Sequence, residues 1–190
     1  YIERNFSDRG CGDIVYITGN PHFQTEIFEE MTGREPSEVF HEVFNTYDTD
    51  WDEEKGVVMP DAIVRDAETA EKLFPGKRKI VHFMQPHPPF VNSDIEQVPN
   101  RIEAIGQAFN ESQRAEKGEI ERKTVIQDYR ENLEFVLPYV DNLAEKLSGR
   151  TVVTADHGEI LGENGLFDHY KGNYRVLREV PWDVISDGYD

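Results

Sequence analysis

The chain has 190 residues with 37% hydrophobic content, enough for one medium domain and too little for two comfortable ones. Thirty-eight acids face twenty bases, a formal net charge of -18, which argues against nucleic acid as a partner because a phosphate backbone needs a basic footprint. No run approaches the ~20 apolar residues of a membrane span, and the single cysteine, Cys11, excludes an internal disulfide and thiolate zinc clusters.

In chain order, the β-branched run Asp13 to Thr18 reads as a buried strand that leaves into the turn Gly19-Asn20-Pro21. Segments 23–32 and 36–46 both fit short helices over a rim. From Pro60 to Leu73 an early proline and apolar Ala62, Ile63, Ala67, Ala70 and Leu73 at helical spacing predict a helix. Lys79 to Gln85 is a second strand, and Pro86-His87-Pro88-Pro89 must be a loop, since prolines supply no ladder donors. Residues 91–118 are polar and irregular, with one helix expected near 98–110. Glu119 to Leu147 is the longest periodic segment, with Ile120, Val125, Tyr129, Leu133, Val136, Tyr139, Val140, Leu143 and Leu147 on one face and a kink expected at Pro138. Thr151 to Thr154 is a third strand, and Val180 to Ile185, with Pro181 at its start, a fourth.

Strands alternating with helices predict an α/β fold with a mostly parallel central sheet and helices on both faces, in a single domain over 1–190. In such sheets ligands collect beyond the carboxyl ends of the strands. His87 follows the second strand, and Asp156-His157-Gly158-Glu159 follows the third. A carboxylate beside an imidazole suits a divalent ion if the chain turns sharply, which Gly158 would allow. The same pair also reads as a turn cap and a hydrogen-bonded rim histidine. His22 is a candidate for the site rim, His82 for a buried strand position, and His41, among Val39, Phe40, Val43 and Phe44, for a packed amphipathic one. Glu159 reads as a residue that orients the turn or caps a helix start.

The stretch "TVVTADHGEILGENG", with the later His169 and "REVPW", resembles the C-terminal signature of the alkaline phosphatase superfamily, in its sulfatase-like branch. "HFMQPHPPF" resembles that family's strand and loop bearing an anion-binding histidine, and residues 128–147 resemble its long helix. The resemblance implies that Asp156 and His157 hold a divalent metal: zinc, manganese, calcium or magnesium. It implies that His87, with His169 or its rival Lys171, binds the oxygens of a transferred group. The substrate would be a small anionic ester of sulfate or phosphate, attacked by a metal-activated nucleophile.

The chain departs from the family at the nucleophile. Cys11 lies in "DRGCGDIVY", without the proline and arginine of the family's Cys/Ser-x-Pro-x-Arg motif. A fragment that lacks the nucleophile-bearing N-terminal part is therefore expected, inactive by itself. A phosphoryl-group transferase of the same superfamily and a non-catalytic metal-binding or interaction domain are the alternatives. Scattered acids and an excess of Arg over Lys resemble the surfaces of salt-adapted archaeal proteins, whose repulsion high salt screens. A reducing, cytoplasmic setting fits the single cysteine.

Overall fold

The computed structural model describes residues 2–93, 110–170 and 172–187. The first half runs α1 (Ile2–Phe6), β1 (Cys11–Thr18), a 3-10 turn over Pro21–Phe23, α2 (Thr25–Thr32), α3 (Pro36–Val39), β2 (Phe40–Asn45), α4 (Thr46–Thr49), β3 (Trp51–Asp52), β4 (Val57–Val58), α5 (Pro60–Leu73) and β5 (Arg78–His82). The second half continues with α6 (Asn110–Glu116), α7 (Arg122–Ala144), β6 (Arg150–Thr154), β7 (Ile160–Leu161), β8 (Phe167–Asp168) and β9 (Trp182–Asp187). The helix expected near 98–110 falls outside the described residues except at Asn110, where α6 begins.

β1 is the centre of a three-stranded parallel sheet in the order β2-β1-β5. Its side chains alternate between two cores, as the strand period requires. Ile14 and Tyr16 enter an aromatic cluster with Ile2, Phe6, Phe23, Phe28 and Phe40, closed by α1 and α2. Val15 and Ile17 point the other way, onto Ala62, Ile63 and Ala70 of α5 with Tyr47 and Val58. Each of these β1 residues is buried, and Val15 and Ile17 are 0% exposed. Full burial of one such side chain contributes about 1.5–3 kcal/mol. Helices therefore cover both faces of this sheet.

Local chemistry sets the element ends. Pro60 opens α5 after an extended Met59, where its missing N–H costs nothing. Gly33 closes α2 in the left-handed conformation, φ 74°, with its N–H on the Glu29 carbonyl at 2.7 Å. Segment 36–46, read as helical, is helical only over Pro36–Val39 and then becomes β2. Its apolar pairs at 39, 40, 43 and 44 mimic helical spacing, but Phe40 packs into the aromatic core while the chain pairs with β1. His41 is correspondingly exposed, its ring edge-on to Phe74 and not packed inside.

The third and fourth strands depart from the expected parallel sheet. β6 and β9 form their own antiparallel ribbon, with Val152 opposite Val184 and Thr154 opposite Trp182. The described connection between them holds a short hairpin, β7-β8, and single 3-10 turns, and lacks the helical crossover that parallel pairing needs. α7 runs unbroken through Pro138, which is exposed, as is Glu134 four residues before it. Its buried stripe is Val125, Asn132, Val136 and Leu143, whereas Leu133, placed on that face by periodicity, is 37% exposed. Among the described residues no helix is long and apolar enough to cross a membrane.

Ile17→Ala should lower the unfolding free energy by about 2–5 kcal/mol, and His41→Ala by no more than about 0.5 kcal/mol, in denaturant melts. Equal effects would contradict the placement of the two positions.

Candidate metal centre

Parallel pairing of β1 with β5 brings Thr18 opposite His82, so both strands end at one edge. The chain past β5 reaches the buried Gln85 and the segment Pro86-His87-Pro88-Pro89, in which the Gln85–Pro86 and Pro88–Pro89 peptides are cis. The His87 N–H donates to the Met84 carbonyl at 3.0 Å, closing a turn. The His87 ring sets Nδ1 2.7 Å from the Pro88 carbonyl. A carbonyl only accepts, so Nδ1 carries the proton and Nε2 keeps a lone pair in the neutral ring. Burial holds the His87 pKa below the usual imidazole value, although Glu159 opposes this.

The chain past β6 supplies the rest. His157 donates Nδ1–H to the Gly158 carbonyl at 2.8 Å, and its backbone N–H donates to Asp156 Oδ1 at 3.0 Å. Its Nε2 then stands 3.8 Å from Asp156 Oδ2. In the neutral ring Nε2 carries the lone pair, so this nitrogen and the carboxylate oxygen are two atoms that could hold a cation. Gly158 is required by contact: a Cβ there would fall 2.0 Å from the Val176 carbonyl oxygen, and its N–H donates to Leu177 at 3.2 Å. The turn is thus pinned under segment 175–179. This close approach is a different demand from the loosened turn expected of the glycine.

Glu159 turns inward, its side chain 8% exposed, and sets Oε1 3.5 Å from Nδ1 of His169. Asp168 Oδ1 accepts both the ring Nδ1–H and the backbone N–H of His169, each at 2.6 Å. Asp168 does this at φ 84°, a positive value that costs a non-glycine residue on the order of 1–3 kcal/mol. Hydrogen bonds to Asp168 and then Glu159 push the His169 pKa up to about 10. Burial pushes the Asp168 carboxyl up, but its bonds to His169 outweigh that and leave it below the usual range.

These elements converge. One ligand atom from each of His87, Glu159 and His169 lies within 4.8 Å of the other two. The His157 and His169 rings are 4.6 Å apart between centroids, and those of His87 and His169 5.3 Å. His22, whose ring and backbone both bond Asn20 Oδ1 at 2.9 Å, lies within the field of His169, and burial lowers its pKa. His82 takes a hydrogen bond with Tyr16 Oη at 3.2 Å, and burial lowers its pKa against the pull of Asp156. Five of the six histidines, all but His41, therefore interact around one strand edge.

Glu159 belongs to this cluster with His87 and His169, a role that its reading as a turn-orienting residue had missed. The one signal in the sequence was its place two residues past His157. Asp156 and His157 sit beside the cluster as a separate pair, joined to it through the His157–His169 ring contact. Lys171 lies outside the described residues. Cys11, at the opposite end of β1, is roughly 20 Å away along the strand at about 3.3 Å per residue.

Donor chemistry fits a divalent ion. Two imidazoles and a carboxylate are ligands of zinc and of manganese-like ions, and suit calcium or magnesium less. Glu159 and Asp168 face protonated His169, and Asp156 adds a carboxylate beside His157, so among the described residues the site is anionic and would repel an anionic ligand unless a cation were bound. No family model, curated protein or solved structure matches the chain.

Because His169 is held protonated to about pH 10 against an ordinary value of 6.5, it contributes stability that is complete below about pH 6.5. That contribution is lost as pH rises through 10. Thermal melts of the metal-free protein should show Tm falling between pH 7 and 10.5, with a shallower fall in His169→Gln. Gly158→Ala should destabilise the protein by about 1–3 kcal/mol, since the Val176 carbonyl must move. Parallel pH profiles, or a neutral Gly158→Ala, would contradict these placements.

Proposed function

We infer that the chain carries the metal-binding, anion-holding part of a metal-dependent hydrolase of sulfate or phosphate esters, of the sulfatase-like branch of the alkaline phosphatase superfamily. The observation that carries this is the meeting of His87, Glu159 and His169 at the strand edge, with Asp156 and His157 against them. The motif resemblance supports it, since His87, Asp156, His157 and His169, which it singles out as ligands and helpers, come from distant parts of the chain and lie together here.

When bound, the metal would neutralise charge on the ester oxygens and lower the pKa of a coordinated oxygen nucleophile. Glu159 and Nε2 of His87 suit the ion as ligands, and the Asp156–His157 pair offers further ligand atoms beside them. Protonated His169, held by Asp168, donates toward an anionic oxygen or a leaving group. His22 lies where it can approach the rest of a small ester substrate. Segment 175–179, packed on Gly158, holds the turn in place.

The reading assigns no nucleophile to these residues, and Cys11 lies too far away to serve. That distance favours a second reading, a metal-binding domain without turnover. A phosphoryl-group transferase would use the same metal and anion contacts, and differs only in the acceptor that receives the group.

Calorimetric titration with zinc and with manganese tests the metal assignment. The protein should bind about one ion, and Glu159→Gln and Asp156→Ala should each weaken binding on the order of tenfold or more, with His41→Ala unchanged. No binding, or equal effects at Asp156 and His41, would overturn the assignment.

A further inference from the structure

Asn132 stands out in the buried stripe of α7. It is 2% exposed, between Val125 and Val136, where the helix period calls for an apolar residue. A buried amide is destabilising unless its polar atoms are bonded. Its oxygen Oδ1 accepts the Val91 N–H at 3.2 Å, and Nδ2 donates to the Pro86 and His87 carbonyls, each at 3.2 Å. The amide therefore bonds both ends of segment 86–91, and its orientation is fixed because an N–H lies on one side and two carbonyls on the other.

The segment has few means of holding itself. Pro86, Pro88 and Pro89 lack N–H groups, so no backbone ladder can form across them. The bond to the His87 carbonyl fixes the peptide leaving His87, the bond to Pro86 fixes the one entering it, and the ring is fixed separately by Nδ1 on Pro88. His87 offers one ligand atom to the cluster with Glu159 and His169, and in the neutral ring that atom is Nε2, which carries the lone pair. One turn earlier on the helix, Asp128 accepts from Ser93 Oγ at 2.7 Å, which ties the far end of the same loop to the same face.

We propose that Asn132 is a positioning residue for His87: its side-chain amide fixes the proline loop so that His87 presents Nε2 to the ion. This rests on the metal reading of the His87, Glu159 and His169 cluster. Groups that orient a metal-bound histidine typically change metal affinity by about 10–100-fold when removed. Leucine, nearly isosteric with asparagine, would fill the space yet leave three backbone groups unbonded.

The test compares Asn132→Leu, Asn132→Asp and Val136→Ala with the unaltered protein. Zinc affinity should fall about 10–100-fold in both Asn132 variants, and the visible spectrum of bound cobalt(II) should change. Val136→Ala removes a buried side chain from the same helix and should lower Tm while leaving zinc affinity within about twofold, as expected of an independent site. If Asn132→Leu does not fold, Asn132→Asp carries the test, since it keeps the acceptor for Val91 and loses both donors. Long-range proton–nitrogen spectra of the metal-free protein should show His87 protonated at Nδ1, and a tautomer mixture in the Asn132 variants. Unchanged affinity, cobalt spectrum and tautomer in an Asn132 variant would overturn the proposal. Absence of zinc binding by the unaltered protein would instead overturn the metal reading, and the tautomer spectra would still decide whether Asn132 orients His87.

Discussion

The double-sided burial of β1 is the constraint on which the rest depends. A strand whose side chains alternate between an aromatic core and the α5 core can tolerate neither a register slip nor loss of a neighbour. Its parallel pairing with β5 brings the ends of both strands to one edge. The loop with His87 leaves from that edge. α5 is tied onward to the end of α7 by Lys146 on Glu68 at 2.5 Å and by Ser148 on Glu71 at 2.6 Å. Glu71 also pairs with Lys79 of β5, both side chains being mostly buried. These ties connect the start of β5 and α5 to the end of the helix that precedes β6 and its Asp156-His157 turn.

Electrostatics at the edge follows from burial at His87 and from carboxylate partners at His169. His87 is driven toward the neutral form, while His169 is held protonated by Asp168 and Glu159. Neighbouring imidazoles with opposite protonation preferences are suited to different tasks, one as a lone-pair donor and the other as a proton donor. Surplus carboxylates then make a cation the simplest complement. Tyr129, whose hydroxyl pKa burial and then Glu159 push up to about 12, stays neutral and adds no further charge to the site.

Sequence patterns made much of this legible, and the failures are informative. β1, α5 and β6 could be read because one interaction dominates each: β-branched burial, a proline-opened amphipathic turn, and a small β-branched run before Asp156. β2 was hidden because Val39, Phe40, Val43 and Phe44 satisfy a helical period, and only pairing with β1 decides between the two structures. The β6-β9 ribbon depends on the absence of a crossover helix, which strand composition does not encode. Asn132 could have been found as the polar residue in phase with Val125, Val136 and Leu143, in place of the exposed Leu133. Glu159 was harder, because its inward turn depends on how segment 175–179 packs over Gly158.

X-ray absorption at the zinc edge of the zinc-loaded protein tests the central claim most directly. Coordination by His87 and Glu159, with the Asp156–His157 pair beside them, predicts nitrogen and oxygen neighbours at about 2.0–2.1 Å, with multiple scattering from imidazole. That imidazole scattering should diminish in His87→Ala. An ion surrounded by oxygen alone, or a spectrum unchanged in His87→Ala, would contradict a metal centre at this edge.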